Sequence, residues 1–256
     1  MRFIDTHLHL YDRAFDMDRE TVIERMKEAG VVKAVLPAID KESFERQSLL
    51  AEGQKGYLWQ AIGLHPTSVK ENWKEELQFV YDQLQRGGYV AVGEIGLDGY
   101  WSREFIEEQK QVFREQLLLA KRYSLPVIIH LREATEELFE VLDSPGIAPF
   151  KGVFHAFSGS VESYRRLKRY GEIKFGIGGV VTYKNAGVAL SLKSMPLEDL
   201  LLETDSPWLA PVPFRGKRNE SSRLIEIASK IALIKEVTIE EVAAVTSINA
   251  EKMFGI

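Results

Sequence analysis

The chain has 256 residues, 45% hydrophobic and 28% charged, with a formal net charge of -5, enough to bury a sizeable core and too acidic to coat duplex nucleic acid through a broad basic surface. It contains no cysteine, which excludes disulfides, thiolate metal sites and a cysteine nucleophile, so any bound metal must be held by histidine and carboxylate. No segment approaches the roughly 18 apolar residues of a membrane span and the N-terminus lacks a basic region followed by an apolar stretch, so the expectation is a cytoplasmic, monomeric protein without a membrane partner, forming one domain over residues 1–256.

Short apolar runs alternate with stretches of helical period along the whole sequence. Arg2–Leu10 precedes the amphipathic Arg19–Ala29, and Val32–Ile39 follows it. Leu58–His65 precedes Glu75–Arg86, and Tyr89–Asp98 precedes Glu104–Arg122. The remaining runs are Pro126–Arg132, Gly152–Gly159 with Val161–Tyr170 behind it, Ile173–Val181 and Leu200–Trp208. Near-continuous apolar strands joined by helices imply a parallel sheet covered by helices. Eight such repeats without a linker predict an α/β fold closed into a (β/α)8 TIM barrel. Thr238–Phe254 reads as an extra C-terminal helix, opened by Thr238 with Glu241 three residues on, the pattern of a capping box.

All five histidines fall in the predicted strands, toward their C-terminal ends, where a parallel barrel builds its active site. In the first run Asp5, His7 and His9 are spaced by two, which places them on one face with Ile4, Thr6 and Leu8 on the other. A His-x-His pair alone is compatible with two hydrogen-bonded core histidines; the other strands add to it. The fourth run places Glu94 between Gly93 and Gly96 in an apolar strand, where an unpaired carboxylate is costly, and a metal ligand is the preferred reading. Asp98, nearer the loop, is read as paired with Lys or Arg. The fifth and sixth runs deliver His130 and His155 to the same rim, and the eighth brings Glu203 and Asp205 onto one face.

Four histidines and at least two carboxylates converging from five strands make a hard-to-borderline divalent site, more plausibly two sites joined by a carboxylate. Magnitude favours metals as well: acid–base catalysis contributes about 10²–10⁴-fold, whereas phosphate ester hydrolysis can require upward of about 10¹⁷-fold.

The chain resembles the TatD family of metal-dependent deoxyribonucleases, among the amidohydrolase-like barrels. The matching segments run in order from Phe3-Ile4-Asp5-Thr6-His7-Leu8-His9 through Gly63-Leu64-His65-Pro66, Val92-Gly93-Glu94-Ile95-Gly96-Leu97-Asp98, Ile129-His130-Leu131-Arg132 and His155-Ala156-Phe157-Ser158-Gly159. Leu202-Glu203-Thr204-Asp205-Ser206-Pro207 and Arg215-Gly216-Lys217-Arg218-Asn219 complete the set. The resemblance implies that His7 and His9 hold one divalent ion, that His130 and His155 hold a second, and that Glu94 bridges them. Asp205 is then implied to bind the first ion and to position or deprotonate the attacking water. The two ions would be Mg, Mn or Zn. Thr67 stands where the family often has a second histidine, which weakens a catalytic role for His65, and Ser221 stands where it often has proline, a departure expected to touch only a loop.

Substrate contacts are expected from His65, Arg132 and Arg215, with support behind the ligands from Glu203 and Asp5. Lys184, Lys217 and Arg218 are further cations beyond strand ends, for which solvated surface charge competes with phosphate binding. Tyr100, Trp101 and Trp208 offer rings for base stacking. The preferred substrate is DNA, cleaved at its ends and as single strands. The rivals are D-aminoacyl-tRNA deacylation, small-molecule amide or lactone hydrolysis and a non-catalytic binding module. Amidohydrolases with a His-x-His strand frequently bridge their metals with a carboxylated lysine, and the run around Glu94 contains no lysine.

Overall fold

A computed structural model describes residues 1–256. Its strands are β1 (Phe3–Asp5), β2 (Val31–Leu36), β3 (Leu58–Ile62), β4 (Ala91–Asp98), β5 (Val127–Arg132), β6 (Phe150–Phe154), β7 (Gly171–Ile177) and β8 (Leu200–Leu202). They form one sheet in chain order, each strand parallel to the next. Helices α1 (Arg19–Glu28), α2 (Lys41–Gly53), α3 (Trp73–Arg86), α4 (Ile106–Tyr123), α5 (Thr135–Leu142), α6 (Val161–Leu167), α7 (Val188–Leu192) and α8 (Leu224–Lys235) follow the strands one by one. An additional helix, α9 (Ile239–Phe254), ends the chain. This is the barrel expected from the alternation, and no helix is long and apolar enough to cross a membrane.

The sheet closes beyond its strand ends. Thr6 N–H donates to the Leu202 carbonyl at 3.0 Å, Asp205 N–H to the His7 carbonyl at 2.9 Å, and His9 N–H to the Ser206 carbonyl at 2.9 Å. The bonds that close the barrel therefore also set the backbone of three predicted site residues.

One cluster of the core takes Ile4, Val35, Ala61, Ala91, Ile128, Val153 and Leu201, one residue from each of seven strands, and packs them with Ala250, Met253 and Phe254 of α9. The extra helix thus covers the end of the barrel where these residues lie. Its start is fixed by Thr238, whose hydroxyl accepts the Glu241 N–H at 3.1 Å; only this half of the expected capping box forms.

Several strands end earlier than the apolar runs. Only His130 stands inside a strand, whereas His7, His9, His65 and His155 follow strand ends. For β6 and β8 the reason is visible in the backbone. Ala156 and Asp205 adopt positive φ of 45° and 56°, a left-handed geometry that costs a non-glycine residue energy and breaks extended structure.

Arg218 ties the segment after β8 to the segment before α1. It donates to both oxygens of Asp18 at 2.7 Å and to Glu220 at 2.9 Å, while Arg25 of α1 also grips Glu220 at 2.9 Å. Arg218 is therefore committed to a structural network, a role outside both the solvated-charge and the phosphate-binding readings of the sequence. Hydrogen bonding from Arg218 holds Asp18 below its ordinary pKa. Burial would raise Glu220, but hydrogen bonds from Arg25 and Arg218 outweigh it and leave the group lowered. Both folded values lie below the unfolded ones, so this stabilisation is complete above the ordinary carboxylate range of about pH 4 and is lost as pH falls through the folded values. Urea unfolding between pH 5 and pH 3 is expected to show a shallower loss of stability in Arg218→Leu than in the parent, and equal slopes would contradict this account.

Candidate active site

Glu94 is aimed into the barrel by a local irregularity. The β4–β5 register shifts between Val92 and Ile95, an arrangement that re-aims a side chain. The flanking glycines are sterically required: a Cβ on Gly93 would stand 2.6 Å from Ile128 Cβ, and one on Gly96, where φ is 137°, would meet the His130 carbonyl at 2.0 Å.

The carboxylate of Glu94 is 2% exposed and its two oxygens face different histidines. Oε2 lies 3.1 Å from His7 Nε2 and 3.8 Å from His9 Nε2. Oε1 lies 2.7 Å from His155 Nε2, 2.9 Å from His130 Nδ1 and 3.3 Å from His65 Nε2. Asp205 Oδ1 stands on the first side, 3.6 Å from His7 and 3.5 Å from His9. The six residues expected as ligands thus form one cluster with Glu94 at its centre.

Hydrogen bonds to the outer ring nitrogens sort these histidines by tautomer. The Tyr11 hydroxyl donates to the Pro37 carbonyl at 2.6 Å, so toward His9 Nδ1, 2.8 Å away, it can only accept. His9 therefore carries its proton on Nδ1 and presents a lone pair at Nε2. In His130, Nε2 donates to Asp98 Oδ2 at 2.8 Å, and Nδ1 faces Glu94 at 2.9 Å; the two carboxylates outweigh burial and raise its pKa, and in the neutral ring Nδ1 is the lone pair. His65 has the opposite arrangement. Its Nδ1 accepts the Thr67 N–H at 3.1 Å, so the proton sits on Nε2 and points at Glu94. His65 is close enough to belong to the donor cluster, but this tautomer makes it a hydrogen-bond donor and not a ligand.

The lone pairs of His9 and His130 point at a carboxylate. Acceptors facing acceptors repel unless protons or cations lie between them. The paired ring nitrogens are 3.0 Å apart for His7 and His9 and 3.2 Å for His130 and His155. Two nitrogens sharing a tetrahedral ion at about 2.0–2.1 Å would be ~3.3 Å apart. The donor set, nitrogen and oxygen without sulfur, fits a hard-to-borderline divalent ion on each side of Glu94.

Electrostatics point the same way. Burial would raise the pKa of Glu94, but the charges of His155, His65 and His7 and the His130 hydrogen bond hold it well below the carboxylate range. Asp205 is likewise lowered, its burial outweighed by a hydrogen bond with His9 and the neighbouring imidazoles. Burial pushes His7 down to about 4. His155 is pushed up to about 10 because Glu94, Glu203 and Asp205 together outweigh its burial. The carboxylates thus hold a proton on His155 at neutral pH, a positive charge that a bound cation would replace.

Glu203 and Asp5 sit behind this cluster. Glu203 is fully buried, accepts the Ala156 N–H at 2.5 Å, and stands 3.8 Å from His155 Nδ1; burial pushes it up to about 8. It occupies space that a Cβ on Gly176 would fill, at 1.9 Å. Asp5 does not share a face with His7 and His9 as the spacing of two predicts, because the chain leaves strand geometry after Asp5. Its carboxylate instead accepts from the His7 and Thr204 backbone and from the Thr204 and Ser221 hydroxyls, the last two at 2.6 Å. Ser221 is buried, so the departure there reaches the site's support and not only a loop.

Asp98 corrects a further expectation: its partner is His130, not Lys or Arg. Burial would raise it, but the His130 hydrogen bond outweighs this and keeps it lowered. Tyr11 and Asp98 are the supporting residues that sequence reasoning missed. Tyr11 had a signal, since it continues the spacing of two from His7 and His9.

Of the other cations, Arg132 is exposed and its guanidinium lies 3.5 Å from the Tyr100 ring centroid. Arg215 is exposed and lies 4.6 Å from that of Tyr183. Lys184 and Lys217 are exposed. Trp208, 45% exposed, meets His9 edge-on at 5.0 Å.

The family model described as TatD related DNase matches residues 4–255. The chain belongs to that family. It is 40% identical over 253 residues to YabD of Bacillus subtilis, named an uncharacterized metal-dependent hydrolase, with 98% of each chain covered. It is 33% identical over 262 residues to the 3'-5' ssDNA/RNA exonuclease TatD of Erwinia amylovora, covering 98% of this chain and 99% of that one. The crystal structure of YjjV, a TatD homologue from Escherichia coli, superposes with a TM-score of 0.91 at 34% identity, covering 100% of this chain and 98% of the other. Because outer partners of metal-bound histidines typically govern affinity about 10- to 100-fold, Asp98→Asn in this protein is expected to weaken one of two manganese binding steps by that factor while leaving the other step unchanged. Two unchanged dissociation constants by calorimetry would remove Asp98 from this role.

Proposed function

We propose that this protein is a divalent-metal-dependent deoxyribonuclease that hydrolyses phosphodiester bonds at the ends of single-stranded DNA, acting as a cytoplasmic monomer. The observation that carries the reading is the division of Glu94, one oxygen toward His7 and His9 and the other toward His130 and His155. The names of the metal-dependent hydrolase and 3'-5' exonuclease relatives support it, as does the family match.

In this reading His7, His9, Glu94 and Asp205 hold one ion and His130, His155 and Glu94 the other. Bound ions supply charge for the developing phosphoryl oxyanion and lower the pKa of water toward about 7. The chain's own residues do the rest. Asp205 is ionised at neutral pH and its side chain is 14% exposed, so water reaches the carboxylate. As the water oxygen bonds to phosphorus, Asp205 takes the proton at Oδ2, since Oδ1 faces His7 and His9, and the electron pair of the breaking P–O bond goes to the leaving sugar oxygen. His65, with its proton on Nε2, donates to a phosphate oxygen. Arg132 and Arg215 meet flanking phosphates with the N–H edges left free by stacking on Tyr100 and Tyr183. Glu203 and Asp5 fix the backbone at Ala156 and His7.

Asp205→Asn preserves shape and one oxygen donor but removes the base. With oligonucleotide substrate, kcat is expected to fall about 10²–10⁴-fold with metal content largely retained. Glu203→Gln is the comparison: if it abolishes cleavage while Asp205→Asn leaves it near the parent rate, the base is misassigned.

A further inference from the structure

The loop after β4 is held rigidly yet exposes its aromatic side chains. Asp98 Oδ1 accepts the backbone N–H of Tyr100 at 2.9 Å and of Trp101 at 3.2 Å, while its other oxygen holds His130. Gly99 N–H donates to the Arg132 carbonyl at 2.8 Å, and a Cβ on Gly99 would stand 2.4 Å from the Glu133 carbonyl. Arg103 bonds that same carbonyl at 3.2 Å and pairs with Glu137. On this fixed backbone Trp101 is 72% and Tyr100 47% exposed. Their rings meet edge-on at 5.0 Å; Arg132 covers a face of Tyr100, so Trp101 is the ring that offers open surface.

Trp101 lines a cavity of about 270 Å³ together with Asp98, Phe105 and, from the loop that carries His65, Pro66. That volume is near the lower end of small-ligand pockets, roughly 300–1,000 Å³. Its charged lining comprises Glu71, Asp98 and Glu104 against Lys70, a balance that repels phosphate and admits an uncharged, flat group. Arg132, stacked on Tyr100 with its guanidinium 5.6 Å from the Trp101 ring centroid, supplies the cation for a phosphate beside that group.

We propose that this cavity is a nucleobase subsite, in which one unpaired base of the substrate strand stacks on Trp101 while the adjoining phosphate meets Arg132. The proposal rests on the nuclease reading above. A duplex base has both faces covered by its neighbours, so the subsite selects an unpaired strand; stacking accepts every base, so it selects no sequence.

The test is fluorescence anisotropy of manganese-loaded protein with two fluorescein-labelled phosphorothioate octamers, one of thymidine and one abasic. Stacking of one base contributes about 1–3 kcal/mol, so the parent is expected to bind the thymidine octamer about 5- to 150-fold more tightly. Trp101→Ala should bring that ratio close to one and Trp101→Phe should restore most of it. A parent ratio of one, or an unchanged ratio in Trp101→Ala, overturns the subsite. Unmodified octamer separates the two readings: a Trp101-dependent ratio without cleavage sinks the nuclease and keeps the subsite, and cleavage with a Trp101-independent ratio does the reverse.

Discussion

Everything in this molecule turns on a buried carboxylate that has no lysine or arginine beside it. Glu94 is surrounded by imidazoles, and an ionised carboxylate taken out of water costs several kcal/mol unless cations or good donors compensate. Without an ion, a protonated ring such as His155, its pKa pushed up to about 10 by the neighbouring carboxylates, compensates it; rings made neutral for ligation cannot. Tyr11 and Asp98 each hold one ring nitrogen of His9 and His130, leaving the other turned inward, so the carboxylates face nitrogen donors whose protons a divalent ion can replace. His65 is the exception, its Nε2 proton turned toward Glu94.

The fold delivers this arrangement through backbone features more than through regular strands. Glycines at 93 and 96 let β4 approach its neighbours at distances no Cβ would allow, and the shifted register turns Glu94 inward. The same hydrogen bonds that close β8 onto β1 fix His7, His9 and Asp205. Left-handed geometry at Ala156 and Asp205 turns the chain where His155 and Asp205 face the centre. Barrel closure and site assembly are one event, and residues behind the ligands, such as Asp5 with Ser221 and Glu203 with Gly176, bear on both.

The eight-fold alternation was legible because buried parallel strands must be apolar throughout and crossover helices amphipathic. The cluster was legible because histidine and acid in apolar runs are costly without a partner, which singled out His7, His9, Glu94, His130, His155 and Asp205. Partnerships across the fold were not. Asp98 and His130 lie 32 residues apart and Asp5 and Ser221 lie 216 apart, so no local pattern links them. Arg218 looked like any rim cation until Asp18, 200 residues away, was found against it. The alternation rule failed at Asp5 because it holds only while the chain remains a strand, and β1 ends there.

The central claim is that one carboxylate separates two ion-binding sets. Anomalous diffraction from manganese-soaked crystals at pH 7.5 tests it directly. The account predicts two peaks flanking Glu94, one within bonding reach of His7, His9 and Asp205 and the other of His130 and His155, with none bonded to His65. A single peak, or one coordinated by His65 Nε2, would contradict it.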